Sequence, residues 1–257
     1  MKVVQLCHEI IDYGVRLINP FKEWNTTKGE GINVAVLDTG IDYNHVDLKN
    51  NIKGGVNFTS TNRKDYMDRA GHGTFCAGII AAEANQVGIV GVAPKANLYA
   101  VKVLNDQSQG TLNWLLEGIE WCIRNDIDVI NMSLGFNKDY PRLHDSVVKA
   151  YNAGIIMCAA AGNNRFEKDA EYPARYEEVI AVDAIDSMKK NAKFNTTGKS
   201  IFTASPGVNI TSTYLSNQYA VGSGTSFACP AICGAIVLMQ ARMKKEQNRQ
   251  MTNEEIR

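Results

Sequence analysis

Hydrophobic residues occur along this chain in two alternating patterns. Short runs that are almost continuously apolar predict strands buried on both faces of a parallel sheet. Longer stretches with apolar residues three and four positions apart, at 112–125 and 143–154, predict helices. The strand-like runs are NVAVLD (33–38), ANLYAVKVL (96–104), DVINMSL (128–134), GIIMCAAA (154–161) and VIAVDAI (179–185).

The alternation of β-type and α-type segments predicts the fold class. We expect a three-layer α/β fold, a doubly wound and mostly parallel sheet with helices on both faces. No internal repeat, low-complexity tract or Pro/Ser-rich linker interrupts the 257 residues, so we expect one domain over 1–257. The last residues, MTNEEIR, resemble a helix start, and the short length of that helix leaves a truncated C-terminus open.

Charge and cysteine content narrow the functional classes. Because 27 basic and 27 acidic residues cancel, no overall field draws the chain to nucleic acid or to an anionic membrane, and we expect neither as a partner. The start, MKVVQLCHEIIDYG, lacks the sustained apolar segment of an export signal. The six cysteines are scattered through apolar segments, as is typical of reduced thiols. We therefore expect a cytoplasmic protein.

Three polar residues lie where such a fold places ligands, near strand ends and helix starts. Asp38 ends an apolar strand, and by itself it would be read as a turn cap. His72, between two glycines in GHGTFCAG, precedes a small-residue helix and could be a packing residue. Ser226, in GSGTSFACP, lies in the first turn of a long apolar helix, where serine is a common N-cap. Each signal alone is moderate.

In combination, these segments resemble the subtilase family of serine proteases. VAVLDTGIDYNHVDL matches the family's aspartate segment, GHGTFCAG its histidine segment and GTSFACP its serine segment. GVAPKANLYAVKVL, DVINMSLG, AAAGNN and EYPARYEEVIAV also follow in the family's order, so the resemblance covers about residues 10–257. The expected cytoplasmic location makes the intracellular subtilisins the most similar branch.

The resemblance implies a subtilisin-like fold and an endopeptidase that works through an acyl-enzyme, with a catalytic triad of Asp38, His72 and Ser226. His72 would take the proton of the serine hydroxyl, and Asp38 would fix its tautomer and stabilise the imidazolium. Asn163 matches the asparagine that stabilises the oxyanion. The alternative is a catalytically silent subtilase-like module that binds peptides or partners in the same groove.

The resemblance also implies a substrate groove in which an extended peptide pairs with the backbone. Small residues would keep the first specificity pocket open, and Glu171 at its base would favour lysine or arginine at P1, unless its side chain turns to solvent. Protein or peptide substrates are therefore the expected partners. The groove residues are Ser108, Gln109, Gly110, Ser133, Leu134 and Gly135, and the pocket residues are Ala160, Ala161, Gly162 and Glu171.

A structural calcium ion is the cofactor that the resemblance implies. Side chains of three residues and backbone carbonyls of three others would supply an oxygen shell, although the same residues could be solvated surface groups. An inhibitory propeptide or inhibitor protein, not present in this chain, is a further expected partner. The side-chain ligands are Glu9, Asp47 and Asn85, and the carbonyl ligands are Glu83, Val87 and Ile89.

Overall fold

The structure, a computed structural model, describes all residues from 1 to 257. Its strands are β1 (Lys2–Val4), β2 (Asn33–Asp38), β3 (Ile52–Asn57), β4 (Asn97–Lys102), β5 (Val129–Met132), β6 (Ile156–Ala160), β7 (Val179–Ile185), β8 (Thr203–Pro206), β9 (Ile210–Tyr214) and β10 (Gln218–Gly222). Its helices are α1 (Tyr13–Ile18), α2 (His72–Ala81), α3 (Leu112–Arg124), α4 (Pro141–Asn152), α5 (Thr225–Gln247) and α6 (Asn253–Ile256), with a short 3-10 helix at Glu23–Asn25.

Seven strands form one sheet in the order β3-β4-β2-β5-β6-β7-β8, and all their pairings are parallel. Strands β3 and β4 lie on one side of β2 and strands β5 to β8 on the other, so the carboxyl end of β2 lies at a topological switch point. Crevices for ligands form at such points, because the connections leave the sheet on opposite faces there. The predicted α/β fold class is confirmed.

Helices cover both faces of this sheet and bury two hydrophobic clusters. One face packs against α2 and α5, and the other against α3 and α4. Strand β2 serves both clusters, since Val34 and Val36 face the first while Ala35 and Leu37 face the second. Burial on both faces explains why this strand is continuously apolar in the sequence.

Several strands were missed by the sequence analysis. Edge strand β3 has the sequence IKGGVN and edge strand β8 has TASP, so neither shows a sustained apolar run. A second sheet, antiparallel and ordered β1-β10-β9, was also not predicted. These strands have fewer apolar residues because an edge or a small sheet buries less of each strand.

Helix α5 passes through the interior and carries the proposed nucleophile near its start. By length and composition it could span a membrane, with a mean hydropathy of 1.4 over its most apolar window. However, 67% of that window is buried inside the protein, as in the core helix of a soluble domain. The short helix α6, at the predicted helix start in MTNEEIR, begins with a capping box formed by Thr252 and Glu255.

Candidate active site

The candidate site begins where strand β2 ends and helix α2 starts. Asp38 is the last residue of β2, and its side chain is fully buried. His72 is the first residue of α2. Its Nδ1 lies 2.8 Å from Asp38 Oδ1 and 2.9 Å from Oδ2, while the backbone N–H of Thr39 donates to Oδ1 at 2.7 Å. The turn after β2 and the start of α2, which are distant in sequence, thus both form hydrogen bonds with the Asp38 carboxylate.

The start of α2 is held by Asp68, a residue that the sequence analysis missed. One carboxylate oxygen of Asp68 accepts the N–H groups of Ala70 and Gly71, and the other accepts the N–H and hydroxyl of Thr74. The buried carboxylate therefore satisfies N–H groups that a helix start leaves free. Its signal was an aspartate just before the Gly-rich turn that leads into the helix.

Glycine is required next to His72 because the backbone approaches closely. A Cβ on Gly73 would lie 2.1 Å from the carbonyl oxygen of Gly40, and Gly71 has a φ of +95°. The N–H of Gly73 donates to Thr39 Oγ1 at 2.9 Å, which ties the helix start to the turn after Asp38. The two glycines in GHGTFCAG thus bring imidazole and carboxylate into contact.

The environment of His72 favours its protonated form. Burial lowers the pKa of the imidazole, but the charge and hydrogen bond of Asp38, together with Cys76, outweigh it and hold the pKa well above 6.5. Because Nδ1 faces the carboxylate, we assign the proton of the neutral ring to Nδ1. This leaves Nε2 as the proton acceptor.

Ser226 is the second residue of α5, and its carbonyl is released from the helix by a proline. Pro230, four residues on, has no N–H to donate to it. The freed carbonyl oxygen instead accepts Ser133 Oγ at 2.7 Å and Cys76 Sγ at 3.4 Å. The start of α5 is thereby fixed against the end of β5 and against α2.

Cys76 contacts both His72 and Ser226. The sulfur is 4.0 Å from His72 Nδ1, and the His72 ring is 5.6 Å from the ring of Phe227. No hydrogen bond joins the imidazole to the Ser226 hydroxyl, which donates to the carbonyl of Ser133 at 3.3 Å. Catalytic hydrogen bonds are often loose without substrate, and rotation about one side-chain bond redirects this hydroxyl.

Asn163 lies beside the start of α5, with its amide orientation set by Thr225. Asn163 Oδ1 accepts the Thr225 N–H at 2.9 Å and its hydroxyl at 3.3 Å, while Thr225 Oγ1 accepts the N–H of Gly162 at 3.2 Å. Asn163 Nδ2 has no protein partner. A Cβ on Gly224 would lie 3.7 Å from Asn163 Oδ1, 3.8 Å from Asn163 Nδ2 and 3.7 Å from Ser226 N. Two donors without a protein acceptor, Asn163 Nδ2 and the Ser226 N–H, therefore lie close to Gly224.

A cavity of about 310 Å³ opens next to His72. Ser108 and Gly110 line one side and Ser133, Leu134 and Gly135 line the other, so five predicted groove residues face one space. Gln109 does not line it, although its carbonyl accepts the Asn105 N–H at 2.9 Å and shapes the loop.

The predicted pocket residues lie at the end of β6 and opposite it. Ala160 and Ala161 are buried at the strand end. The Glu171 carboxylate lies between two glycines, since a Cβ on Gly135 would be 2.5 Å from its Oε2 and a Cβ on Gly162 would be 3.0 Å from its Oε1. No side chain pairs with this carboxylate, and burial, with the charge of Glu167, raises its pKa.

Comparison with known proteins agrees with this geometry. The model of the subtilase family matches residues 29–257. The chain belongs to the subtilase family. It is 42% identical to an intracellular serine protease of Paenibacillus polymyxa over 253 residues, which are 96% of this chain and 78% of that protein. It is also 42% identical to subtilisin DY of Bacillus licheniformis over 238 residues, 91% of this chain and 86% of the relative.

The predicted resemblance is confirmed, and this subtilase is a subtilisin-like serine endopeptidase. A further relative, the minor extracellular protease Epr of Bacillus subtilis, is 42% identical over 261 residues. That match covers 96% of this chain but only 39% of Epr. Relatives named intracellular and extracellular are thus equally similar to this subtilase.

The predicted calcium ligands of this subtilase converge on the loop 83–89. Glu9 Oε2 accepts the N–H groups of Asn85 and Gln86 at 2.9 and 2.7 Å. Asp47 accepts the Asn85 side-chain amide at 3.2 Å and the Ile89 N–H at 3.0 Å. No protein donor reaches the carbonyl oxygens of Glu83, Val87 and Ile89. Two carboxylates and three unpaired carbonyls fit a hard divalent cation.

Proposed function

We propose that Asp38, His72 and Ser226 are the catalytic triad of this endopeptidase and that it cleaves peptide bonds through an acyl-enzyme. The observation that carries the proposal is the short pairing of His72 Nδ1 with the buried Asp38 carboxylate, with Ser226 held across Cys76 from the same ring. A single domain over residues 1–257 supplies all three groups.

The reaction follows from the proton positions. As Ser226 Oγ attacks the scissile carbonyl carbon, its proton moves to His72 Nε2 and the carbonyl oxygen becomes an oxyanion. Asp38 stabilises the imidazolium that forms. When the C–N bond breaks, Nε2 gives this proton to the leaving amine and an ester to Ser226 remains. Water then attacks the ester, again through His72, and releases the acid and the free serine.

The oxyanion is held by donors already in position before the substrate binds. Asn163 Nδ2 and the Ser226 N–H both lie near Gly224 without a protein acceptor, and Thr225 holds the Asn163 amide by its oxygen, so both donors are available to the oxyanion. Donors fixed beforehand need no reorganisation as charge develops, so they lower the barrier more than mobile ones.

Protein or peptide segments bind as an extended strand in this proposal. The two sides of the cavity beside His72 are backbone segments, 108–110 and 133–135, which can pair with a peptide between them. Such backbone pairing selects flexible segments, because a folded substrate has already used its own N–H and C=O groups.

The test is a covalent serine-directed probe, such as a fluorophosphonate. We expect the folded wild type to be labelled and Ser226→Ala to be unlabelled, while Ser223→Ala, three residues before the proposed nucleophile, is labelled like the wild type. Absent labelling of well-folded wild type would contradict the proposed mechanism and support the alternative, a catalytically silent peptide-binding module.

We further propose that Glu171 gives a preference for lysine or arginine at P1. Its carboxylate has no cationic partner of its own and lies beside Gly135 and Gly162, which belong to the two proposed pocket walls. A P1 cation would provide the missing opposite charge. Peptides that differ only at P1, with Arg, Lys, Phe or Leu, test this preference, and equal or slower cleavage of the basic pair contradicts it.

The loop 83–89 is proposed to hold one structural calcium ion. Side-chain oxygens of Glu9, Asp47 and Asn85 would hold it, together with the three loop carbonyls that no protein donor reaches. When bound, the ion would link the N-terminal segment, the 42–48 turn and the loop, and it takes no part in the reaction.

We also propose that the protein works in the cytoplasm under control of an inhibitory propeptide or protein. The intracellular relative and six free cysteines, five of them buried, support a reducing compartment. An active endopeptidase there has to be restrained, since its groove accepts any flexible segment. Cell fractionation with detection of this chain tests the location, and recovery mainly outside the cell would contradict it.

A further inference from the structure

A buried lysine lies beside the catalytic aspartate, and the mechanism above gives it no role. Lys102 ends strand β4 and pairs in register with Asp38 of β2. Its side chain is only 2% exposed. Removing an ammonium group from water costs several kcal/mol unless its hydrogen bonds are replaced, so the partners of the Lys102 ammonium indicate what it does.

The ammonium of Lys102 joins two parts of the site. It donates to the carbonyl oxygen of Thr39, the residue after Asp38, and it lies 2.8 Å from the Asp106 carboxylate. The Asp106 side chain is 40% exposed, so its charge is partly solvated. One buried cation thus links the turn after Asp38 to the loop that follows β4.

On the Asp38 side, Thr39 contacts both the Asp38 carboxylate and the start of α2. Its N–H donates to Asp38 Oδ1 at 2.7 Å, and its hydroxyl accepts the N–H of Gly73 at 2.9 Å. A shift of the Thr39 peptide therefore moves both the carboxylate and the start of α2, which carries His72. Lys102 holds the adjoining Thr39–Gly40 peptide by its carbonyl oxygen.

On the other side, Asp106 lies in the loop that forms one wall of the proposed groove. This loop is internally braced, since Asn105 Oδ1 accepts the N–H groups of Gln107 and Gln109, and Leu104 forms a β-bridge with Gly110. Ser108 and Gly110 line the cavity beside His72. A peptide that pairs with this wall therefore binds to a braced loop that is connected to Lys102 through Asp106.

We propose that Lys102 is a positioning residue that couples substrate binding along the wall 105–110 to the placement of the Asp38–His72 pair. The inference rests on the proposed function. It predicts that residues of the substrate beyond P2 raise kcat as well as lowering KM, because remote binding energy is used to align the catalytic groups.

The test compares two peptides with the same leaving group and P1 residue, one ending at P2 and one extended to P4. In the wild type we expect extension to raise kcat. In Lys102→Met the gain in kcat should fall by about tenfold, while extension still lowers KM. Asp106→Asn should reduce the gain in the same direction. Lys95→Met, which removes an exposed lysine, should behave as the wild type.

The inference would be overturned if kcat fell by the same factor for the short and the long peptide. It would also be overturned if both variants kept the full increase in kcat on peptide extension. If Lys102→Met does not fold, Asp106→Asn decides the question, since its side chain lies near the surface. Labelling of Ser226 by the covalent probe is measured on each variant, so that failure of the coupling can be told apart from failure of the proposed function. If the variants are labelled and peptide extension still raises kcat as in the wild type, only the coupling is rejected.

Discussion

The Asp38–His72 edge and the loop 83–89 differ in how their polar atoms are satisfied. At the first, both oxygens of Asp38 and the Nδ1 of His72 find protein partners, and Asp68 and Thr39 complete the surrounding hydrogen bonds. At the second, two carboxylates gather around Asn85 and three carbonyl oxygens have no donor at all.

This difference separates a site whose polar atoms are satisfied within the protein from a loop whose carbonyl oxygens are not. Unpaired carbonyls clustered with carboxylates repel one another and are costly unless water or a cation satisfies them. We therefore expect the Asp38–His72 edge to keep its geometry in any buffer, and the stability of the loop 83–89 to depend on calcium. Two other carboxylates resemble the loop in this respect. Those of Glu171 and Asp183 also lack a full set of hydrogen-bond partners.

The largest expected effect comes from disturbing the complete site. Asp38→Asn should lower kcat by about ten thousandfold, because the amide stabilises the wrong tautomer of His72 and cannot stabilise the imidazolium. The acid limb of the pH profile should also move to lower pH, since the carboxylate is what raises the pKa of His72. Steady-state kinetics between pH 5 and 10 measure both, and a loss below tenfold would contradict the assignment.

Next in size is the effect of removing Asn163, the proposed oxyanion donor. Asn163→Leu should lower kcat by about a hundredfold to a thousandfold with little change in KM, the size found for loss of this donor in subtilisin, a relative of this protein. Near-UV circular dichroism should be unchanged. Asn164→Ala, at the neighbouring exposed position, is the control and should stay within about twofold of the wild type.

Chelation of calcium tests the loop 83–89 directly. A ligand at a hundred times its dissociation constant contributes about 2.7 kcal/mol, so EDTA should lower the Tm of the wild type by about 5–10 °C. Asp47→Asn should start from the lower Tm and respond little to EDTA, whereas Glu117→Gln, far from the loop, should respond fully. A Tm that EDTA leaves unchanged would show that the loop holds no ion.

Glu171 extends the comparison to a carboxylate whose missing partner would be the substrate. Glu171→Gln should lower the ratio of kcat/KM for P1 arginine over P1 phenylalanine by about tenfold, because the opposite charge is lost while size is kept. Glu167→Gln, nearby but exposed, should change the ratio much less. An unchanged ratio in Glu171→Gln would remove the carboxylate from the specificity pocket.

The smallest effect concerns Asp183, a buried residue with one oxygen lacking any partner. Burial raises its pKa to about 6, although the Ala184 N–H and Asn195 act in the opposite direction. Between the ordinary pKa of an aspartate and this raised value, the folded protein keeps a proton on Asp183 that the unfolded chain has released. The stability that this proton contributes is lost as pH rises from about 4 to about 6.

Asp183→Asn should therefore be more stable than the wild type at pH 8, by about 1–2 kcal/mol, and no different at pH 4. Urea unfolding at the two pH values measures the difference, with Asp145→Asn as the exposed control. A variant that is less stable at pH 8 would mean that the charged carboxylate has a partner in solution.

The sequence by itself determined the buried strands of the parallel sheet and the identity of the candidate chemical groups. Strands β2, β5, β6 and β7 are buried on both faces, so their apolar runs are visible without any tertiary information. Asp38, His72 and Ser226 occur in segments whose glycines and small residues already predict sharp turns at strand ends and helix starts.

Only the tertiary structure decided how these groups are supported. Lys102 and Cys76 contact the site through partners that are remote in the chain, and no periodic pattern marks such contacts. The unpaired carbonyls of the loop 83–89 are equally invisible in the sequence, because every residue has a carbonyl. Which polar atoms find partners depends on the packing of distant segments, and that packing is fixed only when the chain is folded.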